Sequence, residues 1–196
     1  MATQDQRRAA TRATLVDAAL DCLVELGVAG TTTAAVCARA GVSSGGLFNH
    51  FPSKAALFGA AAQQVLDAAV ADYTARFADV AGNGDDVLGD AVRLLWQTFA
   101  QPRLCAVLEL FVAARTDADL AVQLDAVNGP HVVRVFAAAR QLLPQHAGHP
   151  RFEAMVDLVL SAVFGVALGI DAEAQRTNRV ETLVTVVRTQ LTPVAP

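Results

Sequence analysis

Apolar residues recur along the chain at spacings of three and four, while alternation with a period of two is hard to find. The pattern predicts an all-α protein of about nine or ten helices. The first runs over about residues 7–26, with Ala10, Leu15, Ala18, Ala19, Cys22 and Leu26 at helical spacing. Gly27 stops it, because glycine adopts a left-handed cap at little cost. Thr31, Thr32 and Thr33 follow. A threonine there accepts the orphan N–H bonds of a short second helix, a cap worth about 1 kcal/mol. That helix ends at Gly41, and Ser43 caps a third over residues 44–50, which Pro52 cannot continue. Ser53 caps a long fourth helix reaching about Phe77.

Later breaks are expected at Gly82-Asn83-Gly84, Gln101-Pro102, Thr116-Asp117, Asn128-Gly129-Pro130, residues 144–150 and residues 170–178. Proline is favourable in a first helical turn, so Pro102, Pro130 and Pro150 are expected to start helices. Asn178 with Glu181 reads as a capping pair for the last helix. The two final helices are then about 150–169 and 178–191.

Residues 31–58, TTTAAVCARAGVSSGGLFNHFPSKAALF, carry the chemistry. Two short helices meet at Ala40-Gly41-Val42-Ser43, where the glycine permits a sharp turn and Val42 fills the angle. Val36, Ala40, Val42, Leu47 and Phe51 are spaced to form one small core. This is a helix-turn-helix pattern, whose second helix can enter the major groove while the first crosses the backbone. Gly45 and Gly46 weaken that second helix by roughly 1 kcal/mol each relative to alanine. Their use is read as close approach of a phosphate chain to free N–H groups. Ser44, Asn49 and His50 add short polar groups able to reach bases or phosphates. Lys54, the only lysine, opposes the dipole of the next helix, which makes sense if it faces a phosphate.

The same segment resembles the TetR family of bacterial transcriptional regulators. The likeness rests on Gly30 with Thr31, Thr32 and Thr33, then Ala40-Gly41-Val42-Ser43, Gly45, Leu47-Phe48, His50-Phe51, Ser53-Lys54 and Leu57, over about 50 residues. It implies that Thr32 caps the second helix and that Thr33 faces the DNA backbone. It implies Ser44, Gly45, Gly46, Phe48, Asn49 and His50 as DNA-facing positions, with Lys54 holding a phosphate. Residues 1–52 are then a helix-turn-helix DNA-binding domain, and residues 53–196 a helical ligand-binding and dimerisation domain. The sequence departs from the family where Phe48 replaces the usual tyrosine, whose hydroxyl bonds a phosphate. It also lacks the basic residue frequent near Ser44 or Asn49.

Charge sharpens this reading. The net charge is −4, which excludes a protein that coats nucleic acid or an anionic membrane by charge alone. Residues 1–55 hold five basic and four acidic side chains, against ten and fifteen in the remainder. Modest DNA affinity with a shallow salt dependence is expected. The longest uncharged apolar run, residues 158–170, is shorter than the roughly 20 residues of a membrane span. The first fifteen residues are polar, with no export signal visible. Three scattered cysteines fit neither a disulfide framework nor a zinc site. No cofactor, metal or membrane partner is expected, and the expected setting is the reducing cytoplasm.

The resemblance implies a homodimer built from the last two helices. The apolar residues expected there are Val156, Val159, Leu160, Val163, Phe164 and Ala167, with Val180, Leu183, Val184 and Val187. Ser161, Gly165 and Gly169 allow close approach, and the competing reading is a monomer core. A small-molecule effector is the other implied partner. Its expected lining is Trp96, Phe99, Leu104, Leu108, Phe111, Phe136, Met155 and Phe164, although each of these taken singly reads as plain core before it reads as lining. Glu109 and His131 are candidate polar anchors, with Gln97, Arg115 and Asn128 behind them. No nucleophile elbow, phosphate loop or metal spacing marks an enzyme, and catalytic residues are not expected. Cys22, Cys37 and Cys105 fall at apolar positions rather than in a redox motif. A helical interaction or small-molecule-binding module without sequence-specific DNA binding is the alternative to a DNA-binding repressor.

Overall fold

A computed structural model describes residues 3–81 and 86–191. Among these residues are nine helices and no strand, as the spacing predicts. They are α1 (Gln4–Gly30), α2 (Thr33–Ala40), α3 (Ser44–Phe48), α4 (Lys54–Ala81), α5 (Val87–Phe99), α6 (Pro102–Ala113), α7 (Ala118–Leu142), α8 (Phe152–Leu168) and α9 (Glu173–Leu191). No described helix is long and apolar enough to cross a membrane. The predicted break at Gly82-Asn83-Gly84 lies outside the described residues.

Helix α1 begins ahead of the predicted Arg7 because Thr3 and Gln6 cap each other. The Gln6 N–H donates to Thr3 Oγ1 at 3.2 Å, and the Thr3 N–H donates to Gln6 Oε1 at 2.8 Å. Gly27 interrupts the helical path with φ 66° and ψ −179°, so the glycine is needed where the sequence placed a stop.

Three predicted boundaries are overturned. Asn128-Gly129-Pro130 does not break the chain: α7 runs through it with Pro130 in its interior. An interior proline costs about 3 kcal/mol, and burial of Leu120, Leu124 and Val127 along α7 works against that cost. Pro150 precedes α8 rather than starting it, since Arg151 occupies the N-cap. The last helix starts at Glu173, so Asn178 and Glu181 lie inside it. The Glu181 carboxylate is instead taken by Arg93, at 2.7 and 2.8 Å.

The chain divides into two compact units, residues 1–66 with 102–129, and residues 67–101 with 130–196. The expected boundary between residues 52 and 53 falls inside the first. In that unit α1 packs along α6 and α2, and α2 packs on α3. α1 buries Leu15, Val16, Ala19, Leu20 and Leu23, and α6 buries Leu104, Val107 and Leu110. Arg103 ties the two helices together through Asp21 at 2.7 Å and Asp17 at 3.3 Å.

In the second unit α5 packs on α8 and α9, and α8 packs on α9. Its core gathers Phe77, Val92, Leu94, Phe152, Val159, Val163, Val180, Val184 and Val187. Five of these were expected at a dimer face. Val159, Val163, Val180, Val184 and Val187 are buried within their own chain. A polar seam closes the α5–α9 contact. Asp86 caps α5 by accepting from the Gly89 N–H at 3.1 Å, and it accepts from Arg188 at 2.7 Å and Arg93 at 3.1 Å. Arg188 first, then Arg93 and the Gly89 N–H, hold its carboxyl down at about 2 against the opposing effect of burial.

Candidate nucleic-acid interface

The turn between α2 and α3 is fixed by backbone geometry. Gly41 takes φ 65° and ψ 28°, the left-handed region where a side chain is strained. The N–H groups of Gly41 and Val42 both donate to the Cys37 carbonyl, the second at 3.1 Å. The caps fall where the sequence put them. Thr32 Oγ1 accepts from the Ala35 N–H at 3.1 Å, Ser43 Oγ from Gly46 at 3.1 Å, and Ser53 Oγ from Ala56 at 3.1 Å. The first threonine of the run has a different task. Thr31 is fully buried, and its hydroxyl donates to the Gly27 carbonyl at 2.7 Å, bracing the bend in α1. Three identical residues in a row carry no signal that would separate these roles.

Of the predicted small core, Val36, Leu47 and Phe51 are buried, while Ala40 and Val42 sit half-buried at its edge. Helix α3 is shorter than expected. It closes at Phe48, and Asn49 and His50 occupy the turn that follows. Bonds from the His50 and Phe51 N–H groups to the Leu47 carbonyl, both 2.9 Å, hold that turn. Anchored through Leu47 and Phe51, the segment turns Ser44, Gly45, Phe48 and Asn49 to the exterior, with Gly46 and His50 half-buried. Thr32 is exposed, and Thr33 and Lys54 are half-buried. Phe48 is 49% exposed, an apolar ring left in water. Ser44, Asn49 and His50 spend no side-chain hydrogen bond on any described residue.

The two glycines of α3 differ. A Cβ on Gly45 would meet open space, as access for a phosphate chain requires. A Cβ on Gly46 would lie 2.8 Å from Val42 Cγ1. Gly46 is therefore demanded by packing of the turn, a reason that residue spacing alone does not reveal. Cations flank the segment. The Arg12 guanidinium lies 4.7 Å from the centre of the Phe51 ring, and the Lys54 ammonium lies 5.1 Å from that of Phe58. Such contacts are worth about 0.5–1 kcal/mol at exposed sites. Arg39 on α2 is bound to Glu25 on α1 at 2.7 Å, and this partner holds the Glu25 carboxyl below its usual value.

The expected effector residues do not gather in one unit. Leu104, Leu108, Glu109 and Phe111 belong to the first, and Glu109 points to the exposed face of α6. Trp96, Phe99, His131, Phe136, Met155 and Phe164 belong to the second, all half-buried. His131 Nδ1 is buried with no hydrogen-bond partner among the described residues. Burial, with Arg134 nearby, lowers its pKa and favours the neutral ring. His149 Nδ1 accepts from the Arg151 N–H at 3.1 Å, a local capping role.

Comparison with known proteins agrees with this geometry. Residues 15–61 match the family model described as bacterial regulatory proteins, tetR family. An uncharacterised HTH-type transcriptional regulator of Mycobacterium tuberculosis is 34% identical over 168 residues, which is 85% of each chain. A counterpart in Mycobacterium bovis matches equally, at 34% over 168 residues. Among solved structures, the multidrug binding protein EbrR complexed with imidazole shares the fold at TM-score 0.68 and 24% identity, covering 94% of this chain and 96% of its own. A TetR-family transcriptional regulator from Pectobacterium atrosepticum does so at TM-score 0.70 and 21% identity, covering 99% and 100%.

Proposed function

The chain belongs to the TetR family of bacterial transcriptional regulators, and on that premise we propose that it is a one-component repressor. It binds a palindromic DNA operator as a homodimer and lets go when a small-molecule effector occupies its second unit. It works by binding rather than by catalysis, in the cytoplasm where its DNA lies. The observation that carries the DNA-reading assignment is the exposed Phe48, beside the uncommitted side chains of Ser44, Asn49 and His50 on a buried Leu47 anchor. A single exposed ring is ordinary on a protein surface, and what supports the reading is its place among those polar side chains at the end of α3. Without a phenolic hydroxyl, Phe48 packs against sugar or a thymine methyl instead of bonding a phosphate. Thr32, Thr33 and Lys54 contact the backbone, and Gly45 admits it.

Dimerisation uses the faces that the core leaves over. On α8 these are Ala154, Leu158, Ser161 and Gly165, and on α9 Thr182, Val186 and Thr189, all exposed. Val156, Leu160, Phe164, Ala167 and Leu183 border them, half-buried. An isologous dimer places two reading heads about 34–36 Å apart, one turn of duplex. The effector lies among Trp96, Phe99, His131, Phe136, Met155 and Phe164. Unpartnered His131 Nδ1 supports this, because a buried polar atom gains most from a new hydrogen bond. Effector binding shifts the spacing of the reading heads, a coupling typically of about 1–3 kcal/mol.

Selection of bound sequences from a random DNA pool tests the proposal. The expected product is an inverted repeat with half-sites one helical turn apart, and His50→Ala weakens binding to it while the protein stays folded and dimeric. A pool that enriches nothing at low ionic strength would leave only a helical interaction module.

A further inference from the structure

Residues 44–50 carry no arginine or lysine, yet a grip on duplex DNA draws on cations that displace counterions from phosphates. Arg39 is not available, being held by Glu25. Arg93, Arg103, Arg134, Arg179 and Arg188 are likewise paired with carboxylates of their own chain. Among the described residues Arg7, Arg8, Arg12 and Lys54 have no carboxylate partner, and Arg115 is the other such cation of the first unit.

Arg12 is distant from the reading segment along the chain but is pinned beside it. Its guanidinium lies over the ring of Phe51, the buried residue that directly follows the segment. A ring face restrains a cation without neutralising it, as a carboxylate would. Arg8 precedes Arg12 by four positions in α1, which places it on the same side one turn earlier, and it is exposed. The geometry points to Arg12 and Arg8 as a phosphate-contacting surface for duplex DNA, on the α1 side of the reading segment. It rests on the DNA-binding reading above and supplies the charge that the segment lacks. Contacts of this kind set position and carry no base information.

The test is fluorescence anisotropy on two labelled duplexes, one of random sequence and one from the selected operator, over a range of salt. Arg12→Gln and Arg8→Gln are each expected to weaken both duplexes by the same factor. Each also flattens the slope of log affinity against log salt by about 0.9 for every phosphate left without its cation, counted twice in a dimer. Arg12→Lys keeps the slope. The Arg8 side chain makes no hydrogen bond or ion pair with a described residue, so Arg8→Gln separates charge from packing. Slopes unchanged in both glutamine variants overturn the assignment and leave Arg12 a staple on Phe51. If the wild-type protein binds neither duplex at low salt, the DNA-binding reading fails and this surface with it. If it binds and only His50→Ala weakens the operator, the reading stands and the surface falls.

Discussion

Two adjacent glycines in α3 show how far a residue's reason depends on its neighbours. Spacing alone assigns them one purpose, access for a phosphate chain. The structure divides them, since a methyl group is free at Gly45 and strikes Val42 at Gly46. Valine is stiff about its first side-chain torsion and cannot swing clear cheaply. Gly45→Ala is therefore expected to stabilise the free protein by up to about 1 kcal/mol of helix propensity and so to raise its melting temperature. It should also weaken DNA binding, because the added methyl stands where the backbone must approach. Gly46→Ala should destabilise the protein by about 1–3 kcal/mol, as overpacking usually does, and so lower its melting temperature. Thermal melts of the two variants decide this, and equal shifts in one direction would refute it.

At the scale of elements, the sequence was legible wherever a boundary is settled within one turn. Thr32, Ser43 and Ser53 cap, and Gly41 turns, because each bond closes over three or four residues. Pro130 and Asn178 misled because distant packing decides their helices. Nothing near Glu181 in sequence announces that Arg93 will claim its carboxylate. That seam makes a prediction of its own. Asp86 titrates at about 2 when folded, below its ordinary value of 3.8. A depressed carboxyl adds stability above the unfolded value, and the addition is lost as pH falls through that value toward the folded one. Asp86→Asn can still cap Gly89 but carries no charge for Arg188 and Arg93. It should melt below wild type at pH 7, with the gap narrowing from about pH 4 toward pH 2. A gap independent of pH would assign the loss to the cap rather than to the charge.

For the whole molecule, the apolar character of the last two helices was plain in the sequence, but the face each presents was not. Hydrophobicity marks residues that want burial without saying against what. Five valines of α8 and α9 find it within their own chain, which leaves the stripe through Leu158, Ser161 and Gly165 exposed, where the proposed dimer would seat its second copy. Leu158 is 43% exposed in the single chain, and Val163 is fully buried. Leu158→Glu should therefore yield a folded monomer in sedimentation, with helical circular dichroism retained. Val163→Glu should unfold the second unit instead. The two-fold axis doubles the first effect, since each dimer would bury two carboxylates. Loss of the dimer also separates the two reading heads. A palindromic operator held by both gains about 10²–10⁴ in avidity over one head. Leu158→Glu should then bind the full operator no better than a half-site, although every residue of the reading segment is intact. Retention of full operator affinity by a proven monomer would show that the two heads do not act as one.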